Sequence, residues 1–188
     1  MKTRAAVLLL CLACAGAPAQ AAREWKVQDG SRLGFSATWE GNAFDGVFHK
    51  FDAAIAFDPA DLASSRFDVK IDVASADTQS SDRDEPLGDP EWFDYKKYPQ
   101  AHFVTSGFKA LDGGRFEASG TLTIKGISKP ISFPVSWQEQ GGGALLRGET
   151  TLQRTDFHVG EGEWATDESI GLSVKVSFEL KLGAAGGG

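Results

Sequence analysis

The chain has 188 residues, of which 41% are hydrophobic, with 13 Phe and 5 Trp and a net charge of −7. That is apolar bulk for one well-cored domain, in a length too short for two comfortable ones. The acidic balance excludes a nucleic-acid binder, whose phosphate contacts need a basic surface.

Residues 1–21 read as a secretory signal peptide. Lys2 and Arg4 give a positive start, Ala5 to Ala13 form a short apolar run, and small-x-small sites follow at Ala17-Pro18-Ala19 and Ala19-Gln20-Ala21. The apolar run is too short to span a bilayer. Cleavage is expected after Ala21, with Ala19 as the alternative. Cys11 and Cys14 both lie in this leader. Cys14 is not read as a lipid-attachment site, because Cys11 stands where an aliphatic residue is expected. The exported domain, residues 22–182, would then have no disulfide and no thiolate chemistry. The expected location is the periplasm.

Eight strands are predicted in chain order: 31–40, 46–57, 66–75, 101–110, 115–125, 129–138, 143–153 and 170–182. The last is the clearest. Ile170, Leu172, Val174, Val176, Phe178, Leu180 and Leu182 alternate with polar or small residues, which places one set on one face of a strand. Phe67, Val69, Ile71 and Val73 repeat the pattern, as do Ile131, Phe133, Val135 and Trp137. Asp112-Gly113-Gly114 and Gly141-Gly142-Gly143 supply hairpin turns, so successive strands pair antiparallel as a meander. Residues 76–100 form a long polar connection. Within it Asp89-Pro90-Glu91 reads as a helix start, and Trp92 and Phe93 give that short helix an apolar side. The tail from Gly183 to Gly188 is expected to be disordered.

One-sided strands of this length fit a sandwich or a closed barrel, and closure removes exposed edges. The second face is rich in Asp, Lys and Glu, so the apolar face is expected to point inward, opposite to a membrane barrel. No catalytic constellation emerges, and an enzyme is not expected. His49, His102 and His158 lack a metal-ligand spacing, and no metal or resident cofactor is expected. Asp77, Asp82, Arg83, Asp84 and Glu85 form a charged cluster, read as a solvated loop with local capping bonds; the alternative is that Arg83 or Asp84 helps close the barrel mouth or orders a ligand headgroup. Arg154 and Asp156 are read as a structural pair fastening a strand end, with a ligand role as the alternative. On these residues alone the interior is equally compatible with a packed core and with a small-ligand cavity.

Several runs carry a resemblance. They are Ser75-Ala76-Asp77-Thr78, Arg83-Asp84-Glu85-Pro86-Leu87, Trp92-Phe93-Asp94-Tyr95-Lys96-Lys97-Tyr98-Pro99, and Ala118-Ser119-Gly120-Thr121-Leu122-Thr123-Ile124-Lys125-Gly126. Together with Gly46-Val47-Phe48 and Arg154-Thr155-Asp156-Phe157, their order resembles the YceI-like family over residues 24–182. The resemblance implies an all-β, eight-stranded antiparallel lipocalin-like barrel holding a polyisoprenoid or isoprenoid-quinone-like lipid. Gly160-Glu161-Gly162-Glu163-Trp164 looks like a branch of that family linked with cytochrome b561-type membrane proteins. A second reading is therefore an accessory protein that docks transiently onto such a redox partner, with a packed barrel and no transported ligand. His158 replaces a family glycine, which puts a tight turn there in question. Pro86 stands where a histidine is frequent, so no headgroup role passes to that position.

The ligand contacts expected from alternation are Phe35, Phe48, Phe57, Ile71, Leu122, Phe133, Leu152, Val174 and Val176, with Trp92 and Phe93 at the barrel end. A ten-residue strand tilted about 40° gives a barrel on the order of 25 Å deep, so a long isoprenoid has to fold back or project. Burial of about twenty methylene equivalents at roughly 0.8 kcal/mol each gives a gross gain near 16 kcal/mol. Lost translational and chain freedom offsets much of that, leaving affinity in the micromolar range or tighter.

Overall fold

The computed structural model describes residues 22–185; the leader expected over 1–21 and the glycines 186–188 lie outside the described residues. Eleven strands form one antiparallel sheet: β1 (Glu24–Val27), β2 (Arg32–Trp39), β3 (Asn42–Phe48), β4 (Phe51–Ala56), β5 (Arg66–Asp72), β6 (Ala76–Asp77), β7 (Gln100–Ala110), β8 (Arg115–Ile124), β9 (Ile127–Gln140), β10 (Gly143–Gln153) and β11 (Ser173–Ala184). Pairing of β1 with β11 closes the sheet on itself. Three walls of the barrel are broken in two. β1 and β2 both pair with β11, β4 and β3 pair with those halves in turn, and β5 and β6 complete the third wall. The result is a closed eight-stranded antiparallel barrel in meander order.

Side chains bridge the breaks. At the β1–β2 break the Ser31 hydroxyl accepts from Lys181 N at 3.0 Å and donates to Gln28 O at 2.7 Å, standing in for ladder bonds. At the β3–β4 break Ser75 Oγ accepts from Lys50 N at 3.0 Å. Backbone groups leaving a sheet need such partners, because an unpaired buried one costs as much as a lost hydrogen bond.

The strand positions expected from alternation are observed, with these differences. The strand expected over 46–57 is two strands, β3 and β4, parted at His49 and Lys50, whose backbone groups bond instead to Ser75 O and Asp72 N. The strand expected over 66–75 ends at Asp72, and the one expected from 170 begins at Ser173. β1 was not foreseen, since four residues carry too little periodicity to register. Its pairing also captures the chain end, so Gly183 and Ala184 lie in β11 opposite Lys26 and Trp25 rather than in a disordered tail. The short helix sits earlier than Asp89. It is α1 (Ser81–Asp84), followed by a 3-10 turn over Glu85–Gly88, and residues 89–98 are turns. The Asp84 carboxylate reaches back to Thr78 N at 3.0 Å and to Thr78 Oγ1 at 2.8 Å, which fixes the helix near the start of the loop. Asp94 adopts a positive φ of 47°, which prevents a helix from running through Trp92 and Phe93.

The two ends of the barrel differ. One end, where β1, the start of β8 and the end of β11 meet, is an aromatic floor. Phe57 lies 5.3 Å from Phe108, 5.1 Å from Phe116 and 4.7 Å from Trp137 between ring centroids, and Trp25 meets Trp137 edge-on at 5.0 Å. The Trp25 indole N–H donates to Phe57 O at 3.0 Å, so its polar atom is satisfied where the ring is buried. The opposite end carries the long connections, residues 73–99 and 154–172.

Phe57 is fully buried at the centre of this floor. Phe57→Ala is expected to cost about 3–5 kcal/mol in urea unfolding, and a loss below about 1 kcal/mol would show that the floor does not hold the barrel.

Candidate ligand-binding cavity

Between the floor and the loops the barrel is hollow. The cavity measures about 240 Å³ and is lined almost wholly by apolar side chains. For scale, an engineered apolar cavity of about 150 Å³ stays dry and takes up benzene. This space is therefore suited to an organic ligand rather than to water.

Of the residues expected from alternation, Phe35, Phe48, Ile71, Leu122, Phe133, Leu152, Val174 and Val176 line the cavity wall, and Trp92 and Phe93 line its loop end. Phe57 does not line it. Its ring is spent on the floor, because β4 reaches that end of the barrel before the hollow begins. The same alternation also brings Leu33, Phe44, Val69, Phe103 and Phe178 to the wall, residues that the pattern could have named. Thr78, Arg83, Arg154, Val159 and Trp164 line the cavity from the loops. Loops carry no period, so no sequence signal sets their direction.

The polar lining gathers at the loop end. Arg83 donates from Nε to Thr78 Oγ1 at 3.1 Å and from Nη2 to Thr78 O at 2.9 Å, and its guanidinium lies 4.7 Å from the Phe44 ring centroid. The charged cluster thus divides. Asp84 and Arg83 organise Thr78, Asp77 pairs with His49 at 2.8 Å, and Asp82 and Glu85 are exposed.

Arg154 is 5% exposed and has no carboxylate partner among the described residues. The expected pairing with Asp156 is absent, because Asp156 turns outward to Lys129 at 3.1 Å. Six backbone carbonyls surround the guanidinium instead. Nε donates to Gly171 O at 3.0 Å, Nη1 to Val159 O and Gly160 O at 3.0 Å each, and Nη2 to Trp164 O, to Thr166 O at 2.9 Å and to Ile170 O at 2.9 Å. Burial pulls its pKa down from the usual arginine value. A planar fork with five donors can gather this many acceptors, whereas an ammonium has only three. One side chain thereby folds residues 155–171 over the end of the barrel.

A second tie joins the two long connections. Gly160 N and Glu161 N both donate to Glu91 O, at 2.7 and 2.9 Å, and Trp92 packs on Trp164 at 5.8 Å. Lys125, with its side chain 8% exposed, donates to His158 O at 2.7 Å and to Glu161 Oε2 at 2.9 Å. The hydrogen bond from Lys125, aided by its charge and by His158, holds the Glu161 carboxyl below the usual range. His158 keeps the tight turn without a glycine, at φ 55° and ψ 32°, with its N–H turned back toward Arg154 O and Thr155 O. Among the described residues the Trp92 indole N–H is the one buried side-chain polar atom without a hydrogen-bond partner.

A family model described as a YceI-like domain matches residues 25–182. A UPF0312 protein of Pseudomonas putida strain W619 is 30% identical over 159 residues, covering 81% of this chain and 78% of its own. One from Vibrio cholerae is 33% identical over 143 residues, covering 73% and 71%. The crystal structure of Burkholderia cenocepacia BcnA superposes with a TM-score of 0.80 at 32% identity, over 83% of this chain and 99% of that one. A polyisoprenoid binding domain from Saccharophagus degradans shares the fold, with a TM-score of 0.68 at 17% identity over 88% and 99% of the two chains.

Arg154→Lys keeps the charge but cannot reach all six carbonyls. It is expected to cost at least about 2 kcal/mol of stability and to expose residues 155–171 to limited proteolysis. Unchanged urea unfolding with an intact loop would contradict the role assigned to this side chain.

Proposed function

Because the chain belongs to the YceI-like family, whose barrel suits lipid binding in general, we propose that it is a periplasmic carrier of an isoprenoid lipid, exported by its leader. The observation that carries this reading is the hollow, apolar interior. Burial of a hydrocarbon chain is favourable in proportion to the apolar area removed from water, and no directional contact is needed along the wall. The aromatic floor shortens the available depth, so a long chain folds back or leaves through the loop end.

The polar lining supports an orientation for the lipid. Thr78, Thr150, Arg83 and Arg154 all stand toward the loop end, and among the described residues no carboxylate lines the cavity. The Arg154 donors are all taken by carbonyls, so the groups open to a head are the threonine hydroxyls and the remaining Arg83 N–H donors, which suit oxygen acceptors. The surroundings argue against a fully charged anionic head. Residues 76–99 hold seven acidic and three basic side chains, and residues 154–172 hold five and one. A neutral quinone or alcohol head is therefore favoured over a diphosphate.

The second reading, docking onto a cytochrome b561-type membrane protein with a packed barrel, draws on Trp92 and on the Gly160–Trp164 segment. Trp92 is 7% exposed, and both Trp92 and Trp164 face the cavity. These aromatics are better placed to cover a ligand than to meet a partner, so no observation here favours that reading.

Ile71→Asp and Val174→Asp each put a carboxylate into the apolar wall, where an unpaired charge is strongly disfavoured. Folded samples of either variant are expected to lose uptake of an isoprenoid quinone, followed by native mass spectrometry. Wild-type uptake by a folded variant would contradict the assignment of the cavity as the lipid site.

A further inference from the structure

Three inward phenylalanines lie flat over glycines of the neighbouring strand. Phe35 on β2 is paired with Gly46 on β3, and Phe178 on β11 is paired with Gly148 on β10. Phe103 on β7 also reaches over Gly120 on β8, although there the Val104 carbonyl stands closer than the ring. A Cβ on Gly46 would overlap Phe35, whose ring atoms are its three nearest neighbours. A Cβ on Gly148 would stand 2.5 Å from Phe178 Cζ, and one on Gly120 would stand 2.7 Å from Phe103 Cε2.

None of these glycines lies in a turn, and none has a positive φ. Glycine within a strand weakens it and marks a place where another group approaches closely. Here the approaching group is a ring. All three phenylalanines line the cavity, while the glycines beneath them do not. These three rings are thus seated against the wall rather than projecting across the lumen. Gly46 and Gly148 stand directly opposite Phe35 and Phe178 in the ladder, so a methyl group on either would project to the same inward face and displace the ring toward the lumen.

We propose that the Gly46–Phe35 and Gly148–Phe178 pairs set the bore of the cavity and admit a methyl-branched isoprenoid chain. This selectivity rests on the lipid-binding reading above. A branched chain is wider than a straight acyl chain, so a ring moved inward excludes the first before the second. Aromatic cover of a glycine also steadies a sheet, but that effect alone would not distinguish one chain from another.

The test uses Gly46→Ala, where only a ring stands in the way, with Gly148→Ala as the second variant. Geranylgeraniol and palmitate serve as branched and straight probes. Affinity of the folded Gly46→Ala variant for geranylgeraniol is expected to fall about tenfold or more, with palmitate much less affected. The double variant F35A/G46A is expected to regain geranylgeraniol binding. Equal loss of both lipids, wild-type binding of both, or no recovery in the double variant would overturn the proposal. If the wild-type protein takes up neither probe, the lipid-carrier reading fails by itself. A crystal structure of Gly46→Ala then still decides the bore: the Phe35 ring is expected to move into the lumen, and a ring that stays on the wall would overturn the proposal.

Discussion

An eight-stranded barrel has an interior that side chains can just fill, so its use depends on where the bulk is placed along the axis. In this chain the bulk is concentrated at one end. Phe57, Phe67, Phe108, Phe116, Trp25 and Trp137 interlock as a floor, with ring centroids near 5 Å. Above them the wall alternates large residues with small ones such as Ala37, Ala53 and Ala101, and the hollow begins there. The floor supplies cohesion that the middle of the barrel gives up. Stability and capacity are thereby separated in space.

The loop end faces a different difficulty. The long connections bring unpaired backbone carbonyls close to an apolar space, where they would be costly without donors. Arg154 answers six of them with one planar group, which also explains how a guanidinium can be buried without a carboxylate. Glu91 O and Lys125 then tie that loop to its neighbours. The same elements line the cavity, so the cover of the barrel and the environment of a bound head are built from one set of residues.

The walls were legible in the sequence because a period of two in Val174, Val176 and Phe178, or in Val69 and Ile71, maps directly onto one face. The family resemblance added closure and the favoured occupant, neither of which alternation can supply. Phe57 was misplaced because alternation gives a face and not a height along the barrel axis. The helix was set too late because the pull of Thr78 on Asp84 is a contact across the loop, invisible to a capping rule. Arg154 illustrates the same limit. Its neighbour in sequence, Asp156, suggested a local pair, whereas the observed partners are carbonyls from Val159 to Gly171. Gly46 and Gly148 carried no turn signal, and their place in the wall is explained by the rings above them.

The proposed function requires that the lipid reside in the hollow between floor and loops. A crystal structure of the protein with geranylgeraniol tests this most directly. Continuous density is expected for the chain inside the barrel, ending above Phe67 and the floor, with the hydroxyl at the loop end near Arg83. Density confined to the outer surface, with the lumen empty or collapsed, would contradict it.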